Sequence, residues 1–467
     1  MNERRRDLVV AVLALAGAVF AVLQAAVVPA LPDIDRALHA GPSSGTWILT
    51  ANLLATAVLT PVLGRMGDIH GKDRMLRVVL AALGLGTLTC ALAPSLPVML
   101  AGRVAQGAGG AVFPLAFGVI RDELEGDRVA GAIGLVSSLL GIGAGLGLVM
   151  AGPVSAALDW RWLFWLPLAV LVAVAAAAVH WVPASPVRTP APVDLKSAAL
   201  MVAGLSALLV AVSEASVWGV ASGRTLALLA AGALLVAGWV RHELASTDPL
   251  VDMRMMALRG VWTTNLAAFL LGVGMYASIA LVPALVELPR ATGVGFGGSV
   301  TAAGLFMLPT AAPQLLVGSL TGRISRRVGS RVQLLIGVAL MLGAYVALTL
   351  AHRHAWQLIA ATGMLGLGLG FGLGALANLI VVAVPPRQTG VATAMNTVMR
   401  TLGGAFGAAI ATECLARGGS INGDFALAFA LCAGALALGV GAVLAIPGKG
   451  LRINVRVLRD RRALSQS

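Results

Sequence analysis

The amino-acid sequence predicts an all-α polytopic membrane protein. Two six-helix bundles stand in parallel repeat with two additional transmembrane helices between them, making fourteen spans with both termini inside. Three observations carry this. First, 58% of the 467 residues are hydrophobic and only 11% are charged, with a mean hydropathy of +0.92, whereas a water-soluble domain carries about 25% charged residues and needs a large polar surface at this length. Second, apolar runs of about 20 residues, enough to cross roughly 30 Å of hydrocarbon as a helix, follow one another along the chain. They are continuous and do not alternate as β-barrel spans would. Third, a glycine-framed basic loop occurs twice. A cytosolic enzyme, a secreted disulfide scaffold and a disordered chain are excluded.

The first run extends from Leu8 to about Leu31 behind a basic start, Met1-Asn-Glu-Arg-Arg-Arg. It is too long for a signal-peptide core and has no small-residue cleavage site, so it is read as a retained first span. Spans at 46–66, 75–94, 97–120, 129–153 and 161–182 complete a bundle over residues 1–182. Prolines in 183–196 cannot sit in a helix interior, because they remove donors and clash with the preceding turn. They open a linking unit, 183–259, which holds spans at 197–217 and 224–241 and ends in a polar stretch of mixed charge. A second bundle, 260–447, holds spans at 260–286, 300–322, 331–351, 355–384, 389–412 and 424–446. Residues 448–467 form a basic cytoplasmic tail, solvated or lying along the inner leaflet. Cys90, Cys414 and Cys432 lie in or beside apolar runs without metal-like spacing.

The net charge is +13, from 33 Lys and Arg against 20 Asp and Glu. Nucleic acid could be the partner of such a balance, but the basic residues sit in short clusters between apolar runs. With both termini inside, 25 fall on the inner side and six (Arg36, Arg161, Arg224, Arg290, Arg353, Arg417) on the outer, while Arg103 and Arg400 lie within spans. That asymmetry sets the orientation. The expected partner is the lipid bilayer, with no nucleic acid.

The repeat lies after the second span of each half. One loop reads Gly64-Arg-Met-Gly-Asp68-Ile-His-Gly71-Lys-Asp-Arg74; the other, 258 residues on, reads Gly322-Arg-Ile-Ser-Arg326-Arg327-Val-Gly329. Parallel six-span repeats are an organisation that rocks around a central site. No nucleotide motif is present. Gly293-Val-Gly295-Phe-Gly297-Gly298 matches a dinucleotide fingerprint by pattern alone, with no strand before it, and His352-Arg-His354 reads as a loop pair.

With these residues in place, the chain resembles the major facilitator superfamily, specifically its fourteen-span bacterial drug:proton antiporter branch. The first basic loop is similar to the superfamily signature between helices 2 and 3. Trp47-Ile-Leu-Thr50 with Asn52 on helix 2 also matches, as do Arg103-Val-Ala-Gln106-Gly107 on helix 4 and Asp159-Trp160-Arg161-Trp162 before helix 6. Thr389-Gly390-Val-Ala with Asn396 and Arg400 on helix 13 completes the set. Helix 1 departs from the pattern: Val22-Leu23-Gln24-Ala25 stands where exporters carry an acid. The helix 5 motif is matched only loosely around Gly147 and Gly152-Pro153.

The resemblance implies a gate built from Gly64, Asp68, Gly71 and Arg74 with Gly322, Arg326 and Arg327. In it Asp68 latches onto amides near Thr389 and onto Arg74 or Arg77. Arg103 lies roughly 10 Å from the outer face, where an arginine is costly unless paired or hydrated. It is read either as functional or as a tie between helices, with Gln24 within reach, and Arg400 poses the same question in the second half. The expected substrate pathway comprises Gln24, Trp47, Asn52, Arg103, Gln106, Asn265, Tyr276, Asn378, Asn396 and Arg400. No carboxylate falls at the midplane of a span. The acids proposed to couple protons are therefore Glu287 first, then Glu214 and Asp33, all toward outer helix ends. Dense glycines on helices 5 and 12, Gly141 to Gly147 and Gly363 to Gly374, allow close helix approach.

The function expected is export of small amphipathic compounds such as drugs, antibiotics or natural products in exchange for protons, by a monomer in a bacterial plasma membrane. Neither cofactor nor metal is expected. Uptake or facilitated diffusion of a metabolite is the alternative. A sensor or an intramembrane enzyme would need clustered nucleophile, base or metal ligands, which the sequence lacks. Neutral, anionic and cationic substrates all stay open.

Overall fold

A computed structural model describes residues 3–39, 44–124, 127–185, 194–417 and 419–447. The basic tail and the proline-rich centre of the linker, 186–193, lie outside the described residues. Among those described, regular structure is helical throughout, and fourteen long helices follow one another. They are α1 (Glu3–Ala25, continued by Val27–Ala37), α2 (Ser44–His70), α3 (Lys72–Ala91), α4 (Leu96–Gly107 and Val112–Glu123), α5 (Asp127–Ala157), α6 (Trp162–Trp181) and α7 (Leu195–Trp218). Then come α8 (Gly223–Ala245), α9 (Arg259–Glu287), α10 (Val300–Val328), α11 (Ser330–Leu350), α12 (Ala355–Ala383), α13 (Thr389–Ala416) and α14 (Ile421–Ala445). Thirteen are long and apolar enough to cross a membrane. The other, α13, has 28 residues but carries Asn396, Arg400 and a threonine at nearly every turn, which dilutes its hydropathy.

Local chemistry sets the helix ends. Asp194, Ser222, Ser299 and Ser420 cap α7, α8, α10 and α14 by accepting a hydrogen bond from first-turn amides. Gly71 and Gly329 turn the chain from α2 into α3 and from α10 into α11 at φ 105° and 81°, which only glycine adopts without strain. The backbone thus repeats the loop that recurs in the sequence. Three details differ from the expected spans. α1 runs past residue 31 to Ala37 after a turn at Ala26, α4 is broken by a 3-10 turn at Ala108–Ala111, and α8 reaches Ala245. That last extension brings Glu243 inside a span.

α1 to α6 pack on one another, as do α9 to α14, and the two groups meet along two seams: α5 against α10 and α12, and α2 against α13. α7 lies over the α2–α13 seam, where Met201 and Leu205 join a core with Val58 of α2 and Val391 and Met395 of α13. α8 lies outside α7 and turns Leu226, Leu234 and Leu244 outward. Apolar side chains facing outward on a long helix suit a hydrocarbon surround.

Candidate functional site

The seams are tight at the end of the molecule carrying the two basic loops, here called the basic end. α2 and α13 touch through glycines: a Cβ on Gly390 would lie 2.7 Å from the Gly64 carbonyl oxygen. The same close approach occurs between α10 and α5, where a Cβ on Gly322 would meet the Gly131 Cα at 2.8 Å. Small residues are what let backbones come this near.

One turn below Gly64, the Asp68 carboxylate is almost fully buried, at 2% exposure. It accepts hydrogen bonds from the backbone amides of Gly390 at 3.3 Å and Val391 at 3.1 Å. These belong to the first turn of α13, whose amides lack intrahelical partners and carry the positive end of the helix dipole. Asp68 therefore caps a helix of the opposite half. Arg121, at the end of α4, adds a second clasp, donating to the Thr389 hydroxyl at 2.6 Å and the Val384 carbonyl at 3.0 Å.

The basic neighbours of Asp68 differ from those expected. Lys72 and Arg65 are the cations whose charge acts on it, whereas Arg74 is exposed and Arg77 pairs with Asp73 at 2.6 Å. Lys72 itself is held by Asp122 of α4 at 2.7 Å, with both side chains buried. Ser185 ties the start of the linker to α3, its hydroxyl accepting from the Lys72 amide and its amide donating to Asp73. In the second loop, Arg326 and Arg327 are exposed. Sequence reasoning missed Arg121 and Asp122. The run Arg121-Asp122-Glu123 closing a span was their only signal.

The middle of the molecule separates the two intramembrane arginines. Arg103, 1% exposed, donates to the carbonyls of Ile48 at 3.1 Å and Leu23 at 3.4 Å and to Gln106 Oε1 at 2.8 Å. Its own carbonyl accepts from Asn52, and Gln106 donates onward to Thr87. Arg103 is a tie among α1, α2 and α4. Gln24 is not among its partners; Gln24 instead lies beside the Tyr276 hydroxyl of α9, across the two halves. Asn396 donates to Asn265 at 2.9 Å, so two of the expected pathway residues meet.

Arg400 lines a central cavity between the halves with Asn396, Thr393, Phe113, Phe117 and Ser137. The cavity is small, about 20 Å³, room for a water molecule or two. Asn378 is buried on α12, its amide nitrogen without a partner, and Trp47 is exposed at the start of α2. A wider vestibule of about 770 Å³ opens at the opposite end, rimmed by Asp33, Arg36, Asp159 and Arg161.

The acids named for coupling fall in different settings. Glu287 is exposed at the end of α9, Asp33 pairs with Arg36 at the vestibule, and Glu214 is buried on α7 at 7% exposure. Glu243 of α8, absent from the expected set, is 2% exposed. It accepts from Ser197 and Trp239, with its second oxygen unpartnered.

The sequence profile of the Major Facilitator Superfamily matches residues 13–408 and 264–452. The chain is similar to multidrug resistance protein Stp of Mycobacterium tuberculosis, 27% identical over 397 residues, covering 83% of this chain and 72% of that protein. It is 25% identical to multidrug transporter protein MdtP of Bacillus subtilis over 413 residues, covering 87% and 74%. It is 29% identical to a probable actinorhodin transporter of Streptomyces coelicolor over 401 residues, covering 82% and 67%. In fold it resembles the crystal structure of the human organic anion transporter MFSD10, with a TM-score of 0.67 at 16% identity, covering 95% of this chain and all of that one.

Proposed function

The chain belongs to the Major Facilitator Superfamily, and from that premise we propose that it exports small amphipathic compounds, drugs or antibiotics among them, by alternating access in exchange for protons. The observation that carries this reading is the Asp68 carboxylate on the α13 amides. It shuts the basic end with a contact between the two halves that can break and re-form, while the opposite end holds the vestibule. Relatives named for multidrug resistance and multidrug transport support the substrate range.

The reading includes fourteen spans in a bacterial plasma membrane, with α13 as the fourteenth and the basic end cytoplasmic, as the positive-inside rule directs. Its units are a bundle at 1–182, a linking pair at 183–259, a second bundle at 260–447 and a cytoplasmic tail. The chain acts as a monomer and needs no cofactor. The cavity walls mix apolar side chains, Phe113, Phe117 and Leu140 among them, with the polar Ser137, Thr393, Asn396 and Arg400, which suits ligands that share amphipathic character more than shape.

For coupling, Glu287, Glu214 and Asp33 are the acids proposed. Glu214 is the most buried of the three. Two experiments test the reading. Expression in an efflux-deficient bacterium raises resistance to a panel of amphipathic antibiotics, and hypersensitivity instead would mark uptake. In reconstituted vesicles a pH step drives accumulation, which Glu214→Gln abolishes. Accumulation that ignores the pH step removes proton coupling.

A further inference from the structure

We propose that the central cavity binds the anionic group of an amphipathic organic acid, a carboxylate or sulfonate, on the Arg400 guanidinium, with the apolar body of the ligand against Phe113 and Phe117. The inference rests on the exporter reading above and names its substrate class.

Arg103 and Arg400 lie away from the ends of their helices, and the structure uses them differently. Arg103 has two backbone carbonyls and a side-chain amide oxygen around it, so its charge is committed to holding helices together. Arg400 is the twelfth of 28 residues in α13, roughly 16 Å along it, and faces the cavity. Among the described residues, no carboxylate acts on it, and the one ionisable group that does is the Tyr276 hydroxyl, beside Gln24 of α1. A guanidinium at this depth without a counter-charge is costly, and it is an unfilled half of a charge-assisted pair, for which its planar fork suits a carboxylate or sulfonate.

The rest of the wall agrees. No acid lines the cavity. Ser137, 4% exposed and on the facing half, has a hydroxyl with no partner and can donate to the same anion. Asn396 stands one turn from Arg400 on the same face, already ordered by Asn265. Phe113 and Phe117 supply apolar surface from α4. A cation here would meet Arg400 with no acid to offset it, which discriminates against it by at least an order of magnitude. The cavity has room for only a water molecule or two in this closed arrangement, so the ligand enters as the halves part.

The test uses two xanthene dyes of similar body and opposite charge, fluorescein and rhodamine 6G, with the full chain in proteoliposomes under a pH gradient. Fluorescein moves at least tenfold faster than rhodamine 6G. Arg400→Gln lowers fluorescein transport and affinity by about 10- to 100-fold, the loss of one charge-assisted pair, without lowering rhodamine 6G, and Arg400→Lys recovers part of it. Rhodamine 6G carried in preference to fluorescein overturns the anion assignment and leaves the exporter reading standing. So does Arg400→Gln that elutes as wild type and carries fluorescein at the wild-type rate. If the wild type moves neither dye, the exporter reading fails and the assignment falls with it. The dye preference of the wild type needs no variant, so poor folding of Arg400→Gln does not shield the proposal.

Discussion

Replacing Asp68 by Asn keeps the shape of the side chain and removes its charge. In the closed arrangement the carboxylate accepts two amide hydrogen bonds, at 3.3 and 3.1 Å, from the first turn of α13. A hydrogen bond to a charged acceptor contributes about 1 kcal/mol more than one to a neutral acceptor, so two lose about 2 kcal/mol. Loss of the interaction with the helix dipole adds about 0.3–1 kcal/mol. The asparagine NH2 also turns a donor toward amides that are themselves donors. The closed basic end is therefore weakened by about 2–3 kcal/mol, a shift of roughly 30- to 150-fold toward opening at that end. Labelling of a cavity cysteine reads this directly. With Cys90, Cys414 and Cys432 replaced by alanine, Thr393→Cys is exposed to a membrane-impermeant maleimide in inside-out vesicles. Its labelling rate rises by about that factor when Asp68→Asn is added, while pH-driven export falls and the amount of protein in the membrane holds. An unchanged labelling rate in a normally expressed double variant refutes the latch. Arg326→Ala, at the equivalent place in the loop that carries no acid, changes the rate less than Asp68→Asn does.

Arg103→Met strips three acceptors of their donor and lowers thermal stability by about 3 kcal/mol or more, measured by melting in detergent. Whatever folds keeps its preference between anionic and cationic dyes, and a change in that preference would place Arg103 in the binding site. Gly329→Ala has open space around the new methyl, so its cost of about 1–2 kcal/mol is backbone strain alone at φ 81°; an unshifted melting temperature contradicts that. Asp194, at the start of α7, is held below the usual carboxylate range by the Ser197 amide first, then by His242 and the Lys196 amide. Because the folded value lies below the unfolded one, its contribution is present above about pH 4 and is lost as pH falls through the lowered value. Asp194→Asn flattens that acid limb of the melting curve, and an identical limb in the variant rules the contribution out.

Composition and run length alone define a chain of membrane helices, because hydrocarbon demands some 20 apolar residues per crossing whatever the packing. The loop repeat was legible for the same local reason: Gly71 and Gly329 are read from sequence, and the positive φ they adopt is a property of glycine itself. Asp68 stood out through its glycine frame, whereas docking near Thr389 was what the family resemblance implied and not something the frame showed. The partners of these residues were not legible. Most of these helices are apolar on every side, so the sequence carries no period that says which face meets lipid, which a neighbour and which the cavity. Tertiary packing alone turned Arg103 toward carbonyls and Arg400 toward the central cavity. It set Gln24 beside Tyr276 and gave Lys72 to Asp122. It also drew Glu243 inside by carrying α8 one turn past the last apolar residue of the expected span. The chain specifies which residues cross the membrane, and the rotation of each helix about its own axis, set by where glycines let backbones touch, decides which of the polar ones meet.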